Sequence, residues 1–222
     1  RLAELYRTGI AMDASFWHQR WEKNETAWHQ SKANPLLVKH FQELSLAKRG
    51  RVFVPLCGKT LDISWLLSQG YRVAGAELSQ LAIEQLFMEL GVQPEISEVG
   101  ELDQWSANNI DIFVGDLFAL SRQELGPVDA IYDRAALVAF PEEMRTRYTA
   151  HLTAMTGTAP QLLICYEYDQ RLLEGPPFSI SNKEVHRHYL AQYDVTLLAS
   201  IEVSGGLKGK CAAKESVWLL KK

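Results

Sequence analysis

The chain has 222 residues, of which 47% are apolar and 23% charged, with a formal net charge of −4. That balance excludes a disordered tail protein, a collagen-like chain and a disulfide miniprotein, and it argues against a basic surface for nucleic acid. No apolar run approaches the roughly 18 residues of a membrane span, and three widely spaced cysteines without C-x-x-C suit a reducing compartment, the cytoplasm, rather than a disulfide or zinc framework.

Met12 reads as a natural first residue. Residues 1–11 are therefore set aside as a disordered or artificial tail, and 12–222 as one domain without repeats or linkers. The first helix is expected to start at Asp13, with Phe16, Trp17, Arg20 and Trp21 on one face. A polar segment, Glu25 to Gln30, carries an exposed-looking Trp28. Asn34 caps a second helix that opens with Pro35. Arg51 to Pro55 is then a β-rich run, Asp62 to Gln69 a helix ended by Gly70, and Arg72 to Ala76 a strand closed by Glu77. Ser79 caps a helix ended by Gly91. Ile110–Val114 and Val128–Tyr132 are short strands, Pro141 opens a long helix, and Gln161–Tyr168 is an apolar strand suited to a sheet covered on both faces. Ser181 to Glu184 reads as a capping box before a helix to Tyr189. Val195–Val203 and Ser216–Leu220 form a closing hairpin. This alternation predicts an α/β fold with a mainly parallel, doubly wound sheet.

In such sheets ligands bind beyond the carboxyl ends of the strands. Leu56-Cys57-Gly58-Lys59 follows the first strand, and Glu77 stands about 20 residues past the glycine, where nucleotide sites place an acid on ribose hydroxyls. Asp116-Leu117 and Asp133-Arg134 occupy two further strand ends. Taken singly, each of these is a turn glycine, a helix cap or a local ion pair; jointly they fit one nucleoside pocket. The loop lacks G-x-G-x-x-G, and Pro55 and Leu56 replace phosphate-cradling backbone with apolar wall. That disfavours a nicotinamide cofactor and suits a nucleoside without phosphates, S-adenosylmethionine above all. Cys57 has no partner histidine placed by motif and reads as packing. No residue pattern suggests a metal.

The string Val52-Phe53-Val54-Pro55-Leu56-Cys57-Gly58-Lys59 resembles the first motif of the thiopurine S-methyltransferases, class I S-adenosylmethionine-dependent methyltransferases. So do Phe16-Trp17-His18-Gln19-Arg20-Trp21, Thr26 to Gln30, Ala76-Glu77-Leu78-Ser79, Asp133 to Ala139 and Gly175-Pro176-Pro177-Phe178. The short N-terminal extension is closest to the bacterial branch. The resemblance implies a Rossmann-like, seven-stranded sheet with an antiparallel C-terminal strand and N-terminal helices over the cofactor. It also implies a small-molecule substrate, a monomer, and methylation of thiopurines and related aromatic or heterocyclic thiols. The alternative acceptor is a tellurium or selenium oxyanion. By the same resemblance Trp21 (with Trp17 beside it), Leu56, Glu77, Asp116, Leu117 and Arg134 bind S-adenosylmethionine, while Trp28 and Phe178 wall the acceptor. None of them is assigned an acid–base role. Where the family places an arginine before the last strand, this chain has Lys208 and Lys210. A point charge does not reproduce a planar guanidinium fork.

Overall fold

The computed structural model describes residues 14–26 and 30–222, so the expected cap Asp13, the tail 1–11 and Trp28 lie outside the described residues. Helix α1 spans Ala14–Glu22. Helix α2, Pro35–His40, begins where Asn34 Oδ1 accepts from the N–H groups of Leu36 and Leu37. Strand β1 (Arg51–Pro55) leads into α3 (Leu61–Ser68), capped by Thr60, and β2 (Arg72–Glu77) into α4 (Gln80–Leu90), capped by Ser79 and closed by left-handed Gly91. After β3 (Glu95–Val99), β4 (Leu102–Ala107) and β5 (Ile110–Val114) come the short α5 (Arg122–Leu125), β6 (Ala130–Asp133) and α6 (Glu142–Thr156). Strand β7 (Gln161–Tyr168), α7 (Asn182–Tyr189), β8 (Asp194–Glu202) and β9 (Ala213–Lys221) complete the chain.

The strands form one sheet in the order β3-β4-β5-β2-β1-β6-β7-β9-β8. The central five are parallel, and β9 runs antiparallel between β7 and β8. The anticipated α/β class, its seven strands and its antiparallel C-terminal strand are all present. The hairpin β3–β4 is additional. Its first strand is almost wholly exposed and carries Glu95 and Glu98, so no apolar alternation marks it. Strand β4 joins it to the sheet, with Trp105 opposite Ile96 of β3 on one side and Ile112 of β5 on the other.

Alternation along β1 explains its continuous apolar run. Phe53 points to one core with Ile131, Leu163, Tyr148 and Tyr189 beneath α6 and α7. Val52 and Val54 point to the other, with Leu37, Ile63, Leu66 and Ile83 beneath α2, α3 and α4. Both faces are covered, so polar alternation is absent. Trp218 is buried in the first core, as packing predicts, and Trp65 stands edge-on to Phe41 at the margin of the second. The capping box expected at Ser181 is half formed. Ser181 Oγ accepts from the Glu184 N–H, but the Glu184 carboxylate turns to Arg145 (2.7 Å) and His188 (3.2 Å) instead of back to Ser181. A complete box occurs at Ser121 and Glu124, unforeseen because that helix has only four residues.

Strand β1 lies between β2 and β6, so successive connections leave it in opposite directions. That switch point is where an open α/β sheet leaves a crevice at its carboxyl edge. Three of the four expected strand-end positions flank it directly.

Candidate functional site

Glu77 ends β2 and is only 7% exposed. Its Oε2 accepts from the Gly58 N–H (2.8 Å) and its Oε1 from the Ser79 N–H (2.9 Å). Burial raises the carboxyl pKa, and those backbone donors work against the rise. One lone-pair region on each oxygen is used, which leaves acceptor capacity for two further donors such as a vicinal diol.

Gly58 has φ +49°, and a Cβ built there would come within 2.9 Å of Trp21 Cζ2. The missing side chain is therefore what lets the indole from α1 close on the loop, and Trp21 is 6% exposed in that position. Leu56, two residues earlier, holds a left-handed φ of 47°, uncommon for a branched residue, and packs against the core under α6. Trp17 stands edge-on to Phe16 at 5.2 Å on the same helix. The sequence-derived set Trp21, Leu56 and Glu77 thus converges on Gly58. Beside them, Cys57 is 4% exposed, a Cβ on Gly75 would meet its Sγ at 2.9 Å, and burial pushes its thiol pKa well up. It is a packed, inert thiol.

At the end of β5, Asp116 Oδ1 accepts from the Phe118 N–H (2.9 Å) and caps a short 3₁₀ turn. Leu117 is 3% exposed among core residues, and its carbonyl lies 3.0 Å from His151 Nε2. What this pair offers at the crevice is a fixed turn more than a free side chain.

At the end of β6, Asp133 is fully buried. It accepts from the Tyr148 hydroxyl (2.7 Å) and from the N–H groups of Ala136 (3.0 Å) and Leu137 (3.3 Å). Burial raises its pKa to about 6. Asp133 therefore shapes the loop that carries Arg134 and is engaged on the α6 side. The guanidinium of Arg134 acts electrostatically on Tyr132, Tyr166 and Glu215. Tyr166 and Glu215 escaped the sequence reading, because only the antiparallel β7–β9 register sets them side by side.

The remaining positions are Phe178 and the two lysines near the chain's end. Phe178 is anchored by its N–H on the Val138 carbonyl (2.6 Å), and its ring lies against Gly175 with Arg145 5.4 Å from the centroid. Of the two lysines that stand in the place of an arginine, Lys208 reaches this loop, its Nζ donating to the Pro176 carbonyl at 2.8 Å. Desolvation first, then Arg20 and Lys210, lower its pKa. Lys210 is exposed. Among the described residues no group of His, Cys, Asp and Glu gathers into a metal-binding set.

A polar floor and an apolar wall around a buried, backbone-braced carboxylate can hold a nucleoside. The family profile of thiopurine S-methyltransferase matches residues 12–222. A thiopurine S-methyltransferase of Xanthobacter autotrophicus is 57% identical over 212 residues, covering 95% of this chain and all of that one. One of Teredinibacter turnerae is 51% identical over 209 residues, covering 94% and 97%. Among solved structures, the Burkholderia thailandensis 1,6-didemethyltoxoflavin-N1-methyltransferase, with bound 1,6-didemethyltoxoflavin and S-adenosylhomocysteine, superposes with a TM-score of 0.63. It does so at 15% identity, over 94% of this chain and 87% of that one, a likeness of fold.

Proposed function

This chain belongs to the thiopurine S-methyltransferase family, and from that premise we propose that its crevice methylates the sulfur of thiopurines and related heteroaryl thiols. It is an S-adenosylmethionine-dependent methyltransferase. The observation that carries the site assignment is the Glu77 carboxylate, buried at the switch point and braced by two backbone N–H groups. The residues fit the cofactor. Glycine at position 58 lets Trp21 close over the loop as an aromatic cover, and Glu77 retains lone pairs for a diol.

Bound there, S-adenosylmethionine supplies a methyl carbon on a sulfonium leaving group, open to in-line displacement by an acceptor sulfur. The protein needs no strong acid or base for this, because heteroaryl thiols ionise readily near neutrality. In this reading Glu77 holds the ribose hydroxyls, and Trp21 with Leu56 forms an apolar wall that excludes water. Asp116 and Leu117 border the base. Arg134, a cation at the end of β6, favours the acceptor as thiolate. Trp28 and Phe178 serve as acceptor walls, and Lys208 braces the Pro176–Pro177 turn beside Phe178. Holding the two sulfurs and the methyl in line is the main contribution of such a site.

A cytoplasmic monomer of a single domain over residues 12–222 belongs to the same reading. Three free, buried thiols suit a reducing compartment. Methylation of tellurium or selenium oxyanions, with tellurite resistance as its outcome, is the alternative. The Glu215 carboxylate beside Arg134 weighs against an anionic acceptor. The test is methyl transfer from S-adenosylmethionine to 6-thiopurine, thiophenol, tellurite and selenite in parallel. Turnover of the thiols supports the proposal, and turnover of the oxyanions alone refutes it.

A further inference from the structure

We propose that Glu215 receives a ring N–H of the acceptor and so makes this site selective for heteroaryl thiols that carry a hydrogen-bond donor beside the sulfur. The inference rests on the thiol-methylating reading above and adds the residue that recognises the acceptor.

Tyr166 on β7 and Glu215 on β9 are directly opposed partners across the antiparallel ladder. Ile164 and Val217, two positions away on each strand, belong to the core beneath α2, α3 and α4. Alternation therefore puts the Tyr166 and Glu215 side chains on that same face, toward the carboxyl end of β7. Arg134, from the end of neighbouring β6, acts electrostatically on both. Tyr166 and Glu215 also act on each other's titration. Glu215 Oε1 is enclosed and accepts no hydrogen bond from any described residue.

That vacancy of donors sets Glu215 apart from the other buried acids. Asp62 is satisfied by the Asn34 N–H (2.7 Å) and the Tyr132 hydroxyl (2.9 Å). Asp133 has three donors, Glu184 has Arg145 and His188, and Glu77 has two backbone N–H groups. Among the described residues Glu215 Oε1 is the one enclosed carboxylate oxygen without a donor. An acid kept for structure would be costly in that state, since a buried acceptor left unpaired forfeits its hydration. A ligand that brings an N–H removes the cost.

The neighbouring charges specify what kind of ligand. A cation faces the position where sulfur gains negative charge, and a carboxylate faces a donor on the same flat ring. A thiol on a donor-bearing heterocycle meets both. Thiophenol meets only the cation, and an inorganic oxyanion meets a like charge.

Two acceptors of nearly identical shape separate these cases: 6-thiopurine, whose imidazole N7–H lies beside the sulfur and stays in place when the thiol ionises, and its 7-deaza analogue, in which C–H replaces that N–H. With the wild-type enzyme, kcat/KM for the deaza compound should be lower by roughly tenfold or more. In Glu215→Gln, checked for S-adenosylhomocysteine binding, the parent compound should fall toward the deaza value and the ratio should collapse to within about threefold. A wild-type ratio near one overturns the assignment, and so does an equal loss for both acceptors in the variant. Should Glu215→Gln not fold, the wild-type pair of rates still decides. If the wild type methylates neither compound while binding the cofactor, the thiol-acceptor reading itself fails and the role of Glu215 falls with it. Methylation of both at equal rates removes only the role of Glu215.

Discussion

The Gly58 N–H donates to Glu77 Oε2 across 2.8 Å, so the loop after β1 and the last residue of β2 form one unit. Trp21 rests on that unit from above, against the bare Cα of Gly58. Three stretches of chain remote in sequence thus depend on one glycine, and the consequences can be measured.

Gly58→Ala places a Cβ against the indole and holds an L-residue at φ +49°, a conformation costing about 1–2 kcal/mol. The indole must move. Tryptophan emission should shift toward that of a more exposed ring, and the KM for S-adenosylmethionine should rise at least tenfold. The melting temperature should drop by only a few degrees.

Asp133 makes stability depend on pH. Its pKa is about 6 in the fold against an ordinary 3.8, so the folded chain holds a proton that the unfolded chain gives up earlier. The sign follows: this contribution is full below about pH 4 and is lost as pH rises through about 6. Two units correspond to at most about 3 kcal/mol. Urea unfolding of wild type and Asp133→Asn between pH 4.5 and 7.5 should show the wild type losing stability relative to the variant as pH increases. A parallel pair of curves would show that Asp133 does not titrate in this way.

Arg145 and Glu184 form a nearly enclosed pair at 2.7 Å, their side chains 5% and 12% exposed. Removing Arg145 takes the shortest charged hydrogen bond from Glu184 and leaves it with His188, at a cost of about 1.5–3 kcal/mol. Arg145→Leu should therefore unfold at markedly lower urea concentration. Because Phe178 lies over this guanidinium, the variant should also show a raised acceptor KM with cofactor affinity kept. Equal loss of both affinities would mean that the damage is global.

Lys208 and Lys210 are separated by their contacts. Lys208→Met removes the 2.8 Å bond to the Pro176 carbonyl and should raise the acceptor KM several-fold, whereas Lys210→Met should leave it within twofold. Reversed effects would move the acceptor loop's support to the other lysine.

Much of this was legible in the chain itself, for reasons that particular residues show. Asn34, Ser79 and Gly91 act through their immediate neighbours, so their caps could be read locally. The run Arg51–Pro55 announced a strand covered on both faces, and Glu77 and Arg134 stood at strand ends that periodicity alone could locate. What stayed hidden depends on pairing across long separations. Strand β3 has no apolar face, and Glu184 preferred a guanidinium 39 residues away to its own helix cap. Glu215 and Tyr166 become neighbours only through the β7–β9 register. Trp21 was named as a cofactor cover, but its seat on Gly58 required the packing of α1 to be seen.

The most direct measurement is titration calorimetry of S-adenosylhomocysteine against the wild type and Glu77→Gln, a near-isosteric change whose single oxygen keeps one of the two backbone donors. Hydrogen bonds to a charged acceptor contribute about 1.5–3 kcal/mol each. The Kd should therefore rise by roughly 30-fold or more, while the variant, short of one backbone hydrogen bond, should still melt cooperatively and only several degrees lower. An unchanged Kd in the folded variant would contradict the assignment of this carboxylate to the nucleoside.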